Sequence, residues 1–264
     1  GEGDIDIEVR GFQWKWQYTY LDADPTQEIK FMSALLTPQD EIYNIEPKGE
    51  HYLLDVDNPL VIPINKRIRF LITSQDVIHA FWVPAFAVKK DAIPGYVHES
   101  WAIVEEPGVY RGQCTELCGK DHGFMPIVVH AVEQDEYDAW LATKREEAAI
   151  AFETVGKEWS QAELMEKGEA VYLQNCAVCH QVTGQGIPPA FPSLVGQGLS
   201  VGPIESHLDI VLYGKAGTAM QAFGQQLNPA EIAAVVTYER NSWGNNMGDM
   251  IQPKDVNAKL VSGD

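Results

Sequence analysis

Apolar residues recur at every second position through much of the first half of this chain and stop doing so near Val132, so the two halves must fold on different plans. In Asp4-Ile5-Asp6-Ile7-Glu8-Val9 polar and apolar residues alternate strictly, and Phe12, Trp14, Trp16, Tyr18 and Tyr20 put an aromatic ring at every second position. A strand of this kind buries one face and leaves the other to water. Further strands are predicted at 51–56, 67–73, 100–104, 109–113 and 127–132, punctuated by turn formers such as Asp57-Asn58-Pro59 and Glu106-Pro107-Gly108. Many short strands without long helical runs predict a sandwich or a barrel.

Beyond Val132 the composition turns to Glu, Ala and Lys. The stretch 135–153 has helical propensity, with Tyr137, Trp140 and Leu141 as anchors, and runs on as a linker. Ser160 followed by Glu163 is a capping-box pattern, in which the hydroxyl and the carboxylate satisfy backbone donors at a helix start. Asn228-Pro229-Ala230-Glu231 places a capping Asn and a first-turn Pro ahead of the apolar run 232–238. The expected organisation is a β domain over 1–133, a helical linker over 134–159 and a mostly helical domain over 160–264.

A chain of 264 residues, 45% hydrophobic, has the material for one large or two ordinary cores. Its 38 acidic against 19 basic residues give a net charge of −19, spread over both halves, which repels nucleic acid and anionic lipid and favours a basic protein partner. No run approaches the roughly 18 to 20 apolar residues of a membrane span. The opening GEGDIDIEVR lacks the basic start and apolar centre of a signal peptide, so the sequence as it stands is expected to be soluble.

The 4 cysteines fall as two tight pairs, each just ahead of a histidine. In Cys176-Ala-Val-Cys179-His180 two thiols on one turn can add to the vinyl groups of a haem while the adjacent imidazole becomes an axial ligand. A simple disulfide or half a zinc site is the alternative, but zinc needs further ligands and the second half offers only His207 besides. For the sixth ligand a soft methionine thioether suits haem iron, and the candidates are Met165, Met220, Met247 and Met250. Met165 belongs to a helix and is expected to pack in the core, and Met247 and Met250 follow in a Gly- and Asn-rich tail. Met220, in the loop GTAMQAF between helices, is the expected ligand.

At this point residues 160–245 resemble a class I cytochrome c: a first helix with Gly168 and Tyr172, the CAVCH motif, a Gly/Pro-rich loop, the Met220 loop and a last helix with Val235 and Tyr238. The resemblance implies that the first and last helices cross closely at Gly168, and that Pro188 or Pro189 supports the proximal imidazole. The sequence departs from the family pattern at Gln221, where a proline commonly follows the ligand methionine.

The other pair lies in Cys114-Thr-Glu-Leu-Cys118-Gly-Lys-Asp-His122-Gly-Phe-Met125, which packs two thiols, an imidazole and a thioether into twelve residues. Such a soft donor set selects copper over magnesium or calcium, and over zinc, which has little use for the thioether. Two thiolates can bridge two coppers, and a binuclear site then needs a second histidine from an earlier strand. His79, after a strong strand and before an aromatic patch, is the expected one; His51, His98 and His130 have no such context.

Residues 1–133 closely resemble the copper domain of subunit II of haem-copper cytochrome c oxidases, because C-x-E-x-C-x3-H-x2-M, the upstream His79 and the Asp91-Ala-Ile-Pro-Gly95 segment occur together and in order. The resemblance implies an all-β, cupredoxin-like Greek-key sandwich ahead of the all-α cytochrome. It further implies that Cys114 and Cys118 bridge the coppers of a copper A centre, that His79 and His122 are terminal ligands, and that Met125 and the backbone carbonyl of Glu116 complete it. Asp91 and the Glu116 side chain would lie near a magnesium at the contact with the catalytic subunit, and Trp14 matches the family's aromatic electron entry point.

Fusion to a cytochrome c is the arrangement of caa-type oxidases. The resemblance implies an electron-carrying subunit of an oxygen-reducing enzyme, without an oxygen-reducing site of its own. Electrons would pass from a soluble or membrane-bound cytochrome c, or a quinol–cytochrome c reductase, through haem c to copper A and on to catalytic subunit I. Subunit II chains of this family normally begin with transmembrane helices, so attachment through such helices or through partner subunits, at the periplasmic or extracytoplasmic face of a bacterial plasma membrane, is expected. One rival is a nitrous oxide reductase, which carries a similar binuclear copper domain but needs a histidine-rich catalytic cluster that 7 histidines, with His79, His122 and His180 committed, cannot supply; an electron carrier serving such a reductase is the alternative. A metal-free binding module with two disulfides is the non-enzymatic rival.

Overall fold

The computed structural model describes residues 3–24, 28–215 and 217–262. The chain divides into two compact units, Gly1–Glu146 and Glu147–Asp264. The alternating opening of the sequence forms β1 (Ile5–Phe12) and β2 (Lys15–Tyr20), which pair antiparallel and turn Ile7, Val9, Trp16 and Tyr18 inward, all fully buried. The other strands are β3 (Ile29–Ser33), β4 (Leu60–Pro63), β5 (Arg67–Ser74), β6 (His79–Val83), β7 (Val88–Ala92), β8 (His98–Ile103), β9 (Gly108–Cys114) and β10 (Pro126–Val132). They build two five-stranded sheets, ordered β3-β2-β1-β5-β8 and β4-β10-β9-β6-β7.

Parallel pairing of β1 with β5 sets Ile7 opposite Phe70 and Val9 opposite Ile72, so the apolar faces of distant segments fall in register. The second sheet contributes Leu60, Ile62, Phe81, Ile127 and Val129 to the same core. The first unit is therefore a two-sheet sandwich, and the Tyr20 hydroxyl stitches it by donating to the Val61 carbonyl at 2.6 Å.

The expected strand at 51–56 is absent. Leu54 N–H closes a turn on the His51 carbonyl at 2.8 Å, Leu53 takes a left-handed φ of 60°, and Val56 makes only an isolated bridge to Leu35. The Asp57-Asn58-Pro59 turn opens a strand instead of ending one: the Asp57 carboxylate accepts from the N–H groups of Ala34 and Asn58, and the fully apolar β4 follows. A short helix, α1 (Gln39–Ile42), lies in the same excursion.

After β10 the chain enters α2 (Gln134–Gly156), whose Tyr137 and Trp140 rings pack on Tyr20. The second unit is helical: α3 (Gln161–Asn175), α4 (Ala177–His180), α5 (Ile204–Tyr213), α6 (Pro229–Asn241) and α7 (Pro253–Ser262). The predicted capping box of Ser160 with Glu163 is present on α3, and the predicted capping Asn228 starts α6, where it forms a second box with Glu231. However, α6 is not the last helix. Where a tail was expected, α7 buries Val256 against the helical core, and Gln252 just before it exchanges two hydrogen bonds with the Trp159 backbone, each 2.9 Å.

Helices α3 and α6 meet at Gly168, where an added Cβ would lie 2.2 Å from the Ala234 carbonyl oxygen and 2.6 Å from Tyr238 Cβ. Both neighbours belong to a rigid helix, so the crossing has no room to relax. Gly168→Val is expected to destabilise the second unit by about 1–3 kcal/mol, the usual cost of overpacking. Thermal melting of the full chain followed by circular dichroism checks this, with an unchanged melt refuting the tight crossing.

Candidate metal and haem sites

Each cysteine of the first pair is placed by a strand end. Cys114 closes β9, which pairs with β6 so that Phe81 lies opposite Cys114, while His79 opens β6. The loop then carries Cys118, passes a 3-10 turn at His122–Phe124 and delivers Met125 just ahead of β10. Strand pairing thus brings His79 to donors that the sequence places 35 or more residues away.

The two sulphurs lie 3.8 Å apart, buried, with no disulfide between them. Each has its own companions. Cys114 Sγ is 3.9 Å from His79 Nδ1 and 3.4 Å from the Glu116 carbonyl oxygen. Cys118 Sγ is 3.4 Å from His122 Nδ1 and 3.5 Å from Met125 Sδ. Donor atoms of His79, Cys114 and Cys118 all fall within 4.8 Å of one another. A cavity of about 170 Å³ reaches the same place, lined by Cys114, His122, Met125 and Leu53 among others. Soft donors in a buried group of this size suit copper ions.

The hydrogen bond between the two sulphurs holds the Cys114 thiol far below the usual range, at about 3, while the same contact pushes Cys118 up. At His79 burial works against the charged form, but the hydrogen bond to Asp76 and the contact with Cys114 outweigh it and raise the pKa.

Asp76 is the functional residue that sequence reasoning missed. Its Oδ1 is 2.9 Å from His79 Nε2, which leaves Nδ1 facing Cys114. The carboxylate is itself fixed, accepting from the N–H groups of Gln13 and Val77, each at 2.7 Å. The signal was available as a carboxylate three residues ahead of a candidate ligand, the usual outer partner of a metal-binding imidazole. Gly11 also serves the site, because an added Cβ would lie 2.7 Å from the His79 ring.

Trp14 sits half-buried in the turn between β1 and β2, its indole N–H donating to the Cys118 carbonyl at 3.2 Å beside the Gln13 amide at 2.8 Å. Asp91 lies on β7 opposite Ala80, with its side chain exposed, as is that of Glu116. Neither carboxylate belongs to the close donor group found among the described residues. His98 bonds the Asp91 carbonyl at 2.8 Å, and His51 and His130 stand apart from the group.

In the second unit Cys176 ends α3, and α4 carries Cys179 and His180 through one further turn, with the N–H groups of both bonded to the Cys176 carbonyl. Neither thiol is joined in a disulfide, and both are half-buried. His180 Nδ1 is 2.9 Å from the Pro192 carbonyl oxygen, which leaves Nε2 for a metal. The supporting residue is therefore Pro192 and not Pro188 or Pro189; the loop returns to His180 only after the Ile187–Phe191 bridge has closed. Unlinked thiols beside an oriented imidazole, followed by Val182 and Ile187 at 64% and 47% exposure, suit an apolar, covalently held haem.

Met220 packs partly buried against the helical core, in the loop between α5 and α6. Met165 packs against the same core from α3, whereas Met247 and Met250 are exposed. His207 is spent on Glu239, 2.7 Å away and buried with it.

Comparison with known proteins bears on both units. Residues 5–132 match the family model described as cytochrome c oxidase subunit II, periplasmic domain, and residues 163–238 match that of cytochrome c oxidase, cbb3-type, subunit III. The chain carries the periplasmic domain of the cytochrome c oxidase subunit II family, joined to a cytochrome c domain. It is 47% identical over 148 residues to the probable cytochrome c oxidase subunit 2 of Rickettsia bellii, covering 56% of this chain and 52% of that protein. With the subunit 2 of Cereibacter sphaeroides it is 39% identical over 157 residues, covering 54% and 50%. The chain thus spans about half the length of the curated relatives it matches. The crystal structure of the periplasmic domain of subunit II from Bradyrhizobium japonicum is 43% identical, with a TM-score of 0.49, covering 56% of this chain and 97% of that one. No helix among the described residues is long and apolar enough to cross a membrane.

The subunit II domain implies a copper A site and the cytochrome domain a haem, and the donors described above fit both. Asp76→Ala is expected to weaken copper binding about 10- to 100-fold by freeing the His79 ring. Competition titration against a copper chelator checks it, and an unchanged affinity would remove Asp76 from the site.

Proposed function

We propose that this chain is the electron-transfer subunit of a haem-copper terminal oxidase. It takes electrons from a cytochrome c or a quinol–cytochrome c reductase and passes them through a covalent haem c and binuclear copper A to catalytic subunit I. When bound, the haem iron and the copper pair supply one-electron couples, with no bond of a substrate made or broken on this chain.

The observation that carries the reading is the distribution of donors about the two buried thiols: one imidazole and one further donor for each sulphur. Cys114 and Cys118 would bridge two coppers, with His79 and His122 as terminal ligands and Met125 and the Glu116 carbonyl completing the set. Burial of His79, Cys114, Cys118 and Met125 excludes water, so the ligands are held by packing and not by solvent. Cys176 and Cys179 would hold the haem covalently, with His180 and Met220 on its iron.

Trp14 joins a half-exposed ring to the Cys118 carbonyl and is the proposed point of electron entry to the copper domain. Asp91 and Glu116, both exposed, are offered to a magnesium at the contact with subunit I. The domain works at the extracytoplasmic face of a bacterial plasma membrane, held there by partner subunits or by helices that precede it in the full protein. The net charge of −19 steers a basic donor, at a rate that falls as salt rises.

Elemental analysis of the fully loaded chain is expected to give two coppers for each iron. Cys114→Ser or Cys118→Ser should abolish the mixed-valence copper spectrum and leave the haem spectrum intact. Met220→Ala should lower the haem potential without touching the copper bands. A normal two-copper spectrum in either cysteine variant would overturn the bridging roles.

A further inference from the structure

We propose that Gln226 is a positioning residue for Met220, its carboxamide clamping the loop that presents the thioether in place of the proline that the sequence lacks at position 221. The inference rests on the reading of Met220 as axial ligand. The segment on the N-terminal side of the thioether is already tied: Lys215 N–H donates to the Met220 carbonyl at 3.0 Å, and Met220 N–H donates to the Thr218 hydroxyl at 3.2 Å. Gly214 makes this approach possible, with a φ of +69° and the Met220 carbonyl oxygen only 2.6 Å from where a Cβ would stand. Further on, Phe223 and Gly224 donate to the carbonyls of Val211 and Leu212 at 2.9 and 3.0 Å.

Between these anchors lie Gln221 and Ala222, and both are held by one side chain. Gln226, buried at 8% exposure, donates through Nε2 to the Ala222 carbonyl at 2.8 Å and to Gln221 Oε1 at 3.2 Å. The backbone carbonyl can only accept, so it fixes which end of the amide points at the loop. The other end gains nothing in return, since Gln226 Oε1 is buried with no hydrogen-bond partner among the described residues. An orphaned buried carbonyl costs free energy that an apolar packing residue would not incur, so the amide's contribution is what its Nε2 holds. What the amide adds is restraint on the two residues that follow the methionine, the restraint a proline would impose through its fixed φ.

The test uses the haem-loaded full chain in the ferric state, titrated with imidazole, which competes with the thioether for iron. Gln226→Leu is expected to fold normally and to bind imidazole about tenfold more tightly, the effect of losing a buried hydrogen-bond pair. Adding Gln221→Pro to that variant should return the affinity toward that of the parent, a rescue that a merely structural role would not produce. Gln226→Asn, which withdraws the amide by one methylene, reads the same shift if the leucine variant does not accumulate. Met220→Ala is the control and should lose the thioether-to-iron charge-transfer band. If that band disappears in the control while both Gln226 variants keep the parent's imidazole affinity, the positioning role is overturned and the ligand reading stands. If Met220→Ala keeps both band and affinity, the ligand reading falls and the proposal with it.

Discussion

Two thiol sulphurs held 3.8 Å apart inside a β-sandwich, with no bond between them, are an unfavourable arrangement for a protein with nothing to put there. The His79 ring and the Glu116 carbonyl crowd in on the same point. The rest of the first unit can be understood as the framework that keeps this arrangement from relaxing. The end of β9 fixes Cys114, the start of β10 fixes Met125, and the loop between them has only eleven links in which to place Cys118 and His122.

That framework is steric as much as it is hydrogen-bonded. Gly112 on β9 lets the Trp82 carbonyl approach to within 2.0 Å of where a Cβ would be, so β6 and β9 close tightly at the strand pair that brings His79 to Cys114. Gly11 on β1 opens the space that the His79 ring fills. Asp76 then aims the ring, and because its other oxygen accepts from the Gln13 N–H, the turn that carries Trp14 is tied to the same carboxylate. The orientation of the His79 ring and the half-buried indole of Trp14 therefore share one anchor.

What could be read from the sequence follows from how local each feature is. The donors of the copper loop and of the CAVCH turn are close in sequence, so their types and spacing already define their chemistry. The alternation of residues 4–9, the every-second aromatics of 12–20 and the helix starts at Ser160 and Asn228 depend on neighbours a few positions away, and the strands and helices they announce appear where expected, although β2 buries Gln17 and Thr19 on its second face as well. Features settled by distant partners were hidden. Residues 51–56 carry apolar side chains suited to a strand, but no neighbouring strand is in register to receive them, and the chain turns there instead. Pro192 looks like an ordinary loop residue until the fold brings its carbonyl against His180, and α7 lies beyond the Gly- and Asn-rich stretch that reads as a tail.

The two histidines show the same device built from different parts. His79 has its outer nitrogen held by a carboxylate three residues away, and His180 has its outer nitrogen held by a backbone carbonyl twelve residues away. In both, one ring nitrogen is committed to the protein so that the other is presented in a fixed direction with a fixed tautomer. The choice of acceptor differs in a way that matters for charge. A carboxylate stabilises a positive ring and makes the opposite nitrogen a stronger donor, as it would for copper held by His79. A neutral carbonyl orients without adding charge, as it would for a haem iron held by His180. Each unit thus tunes its donor through the partner behind the histidine, a choice made by the fold and invisible in the ligand motif itself.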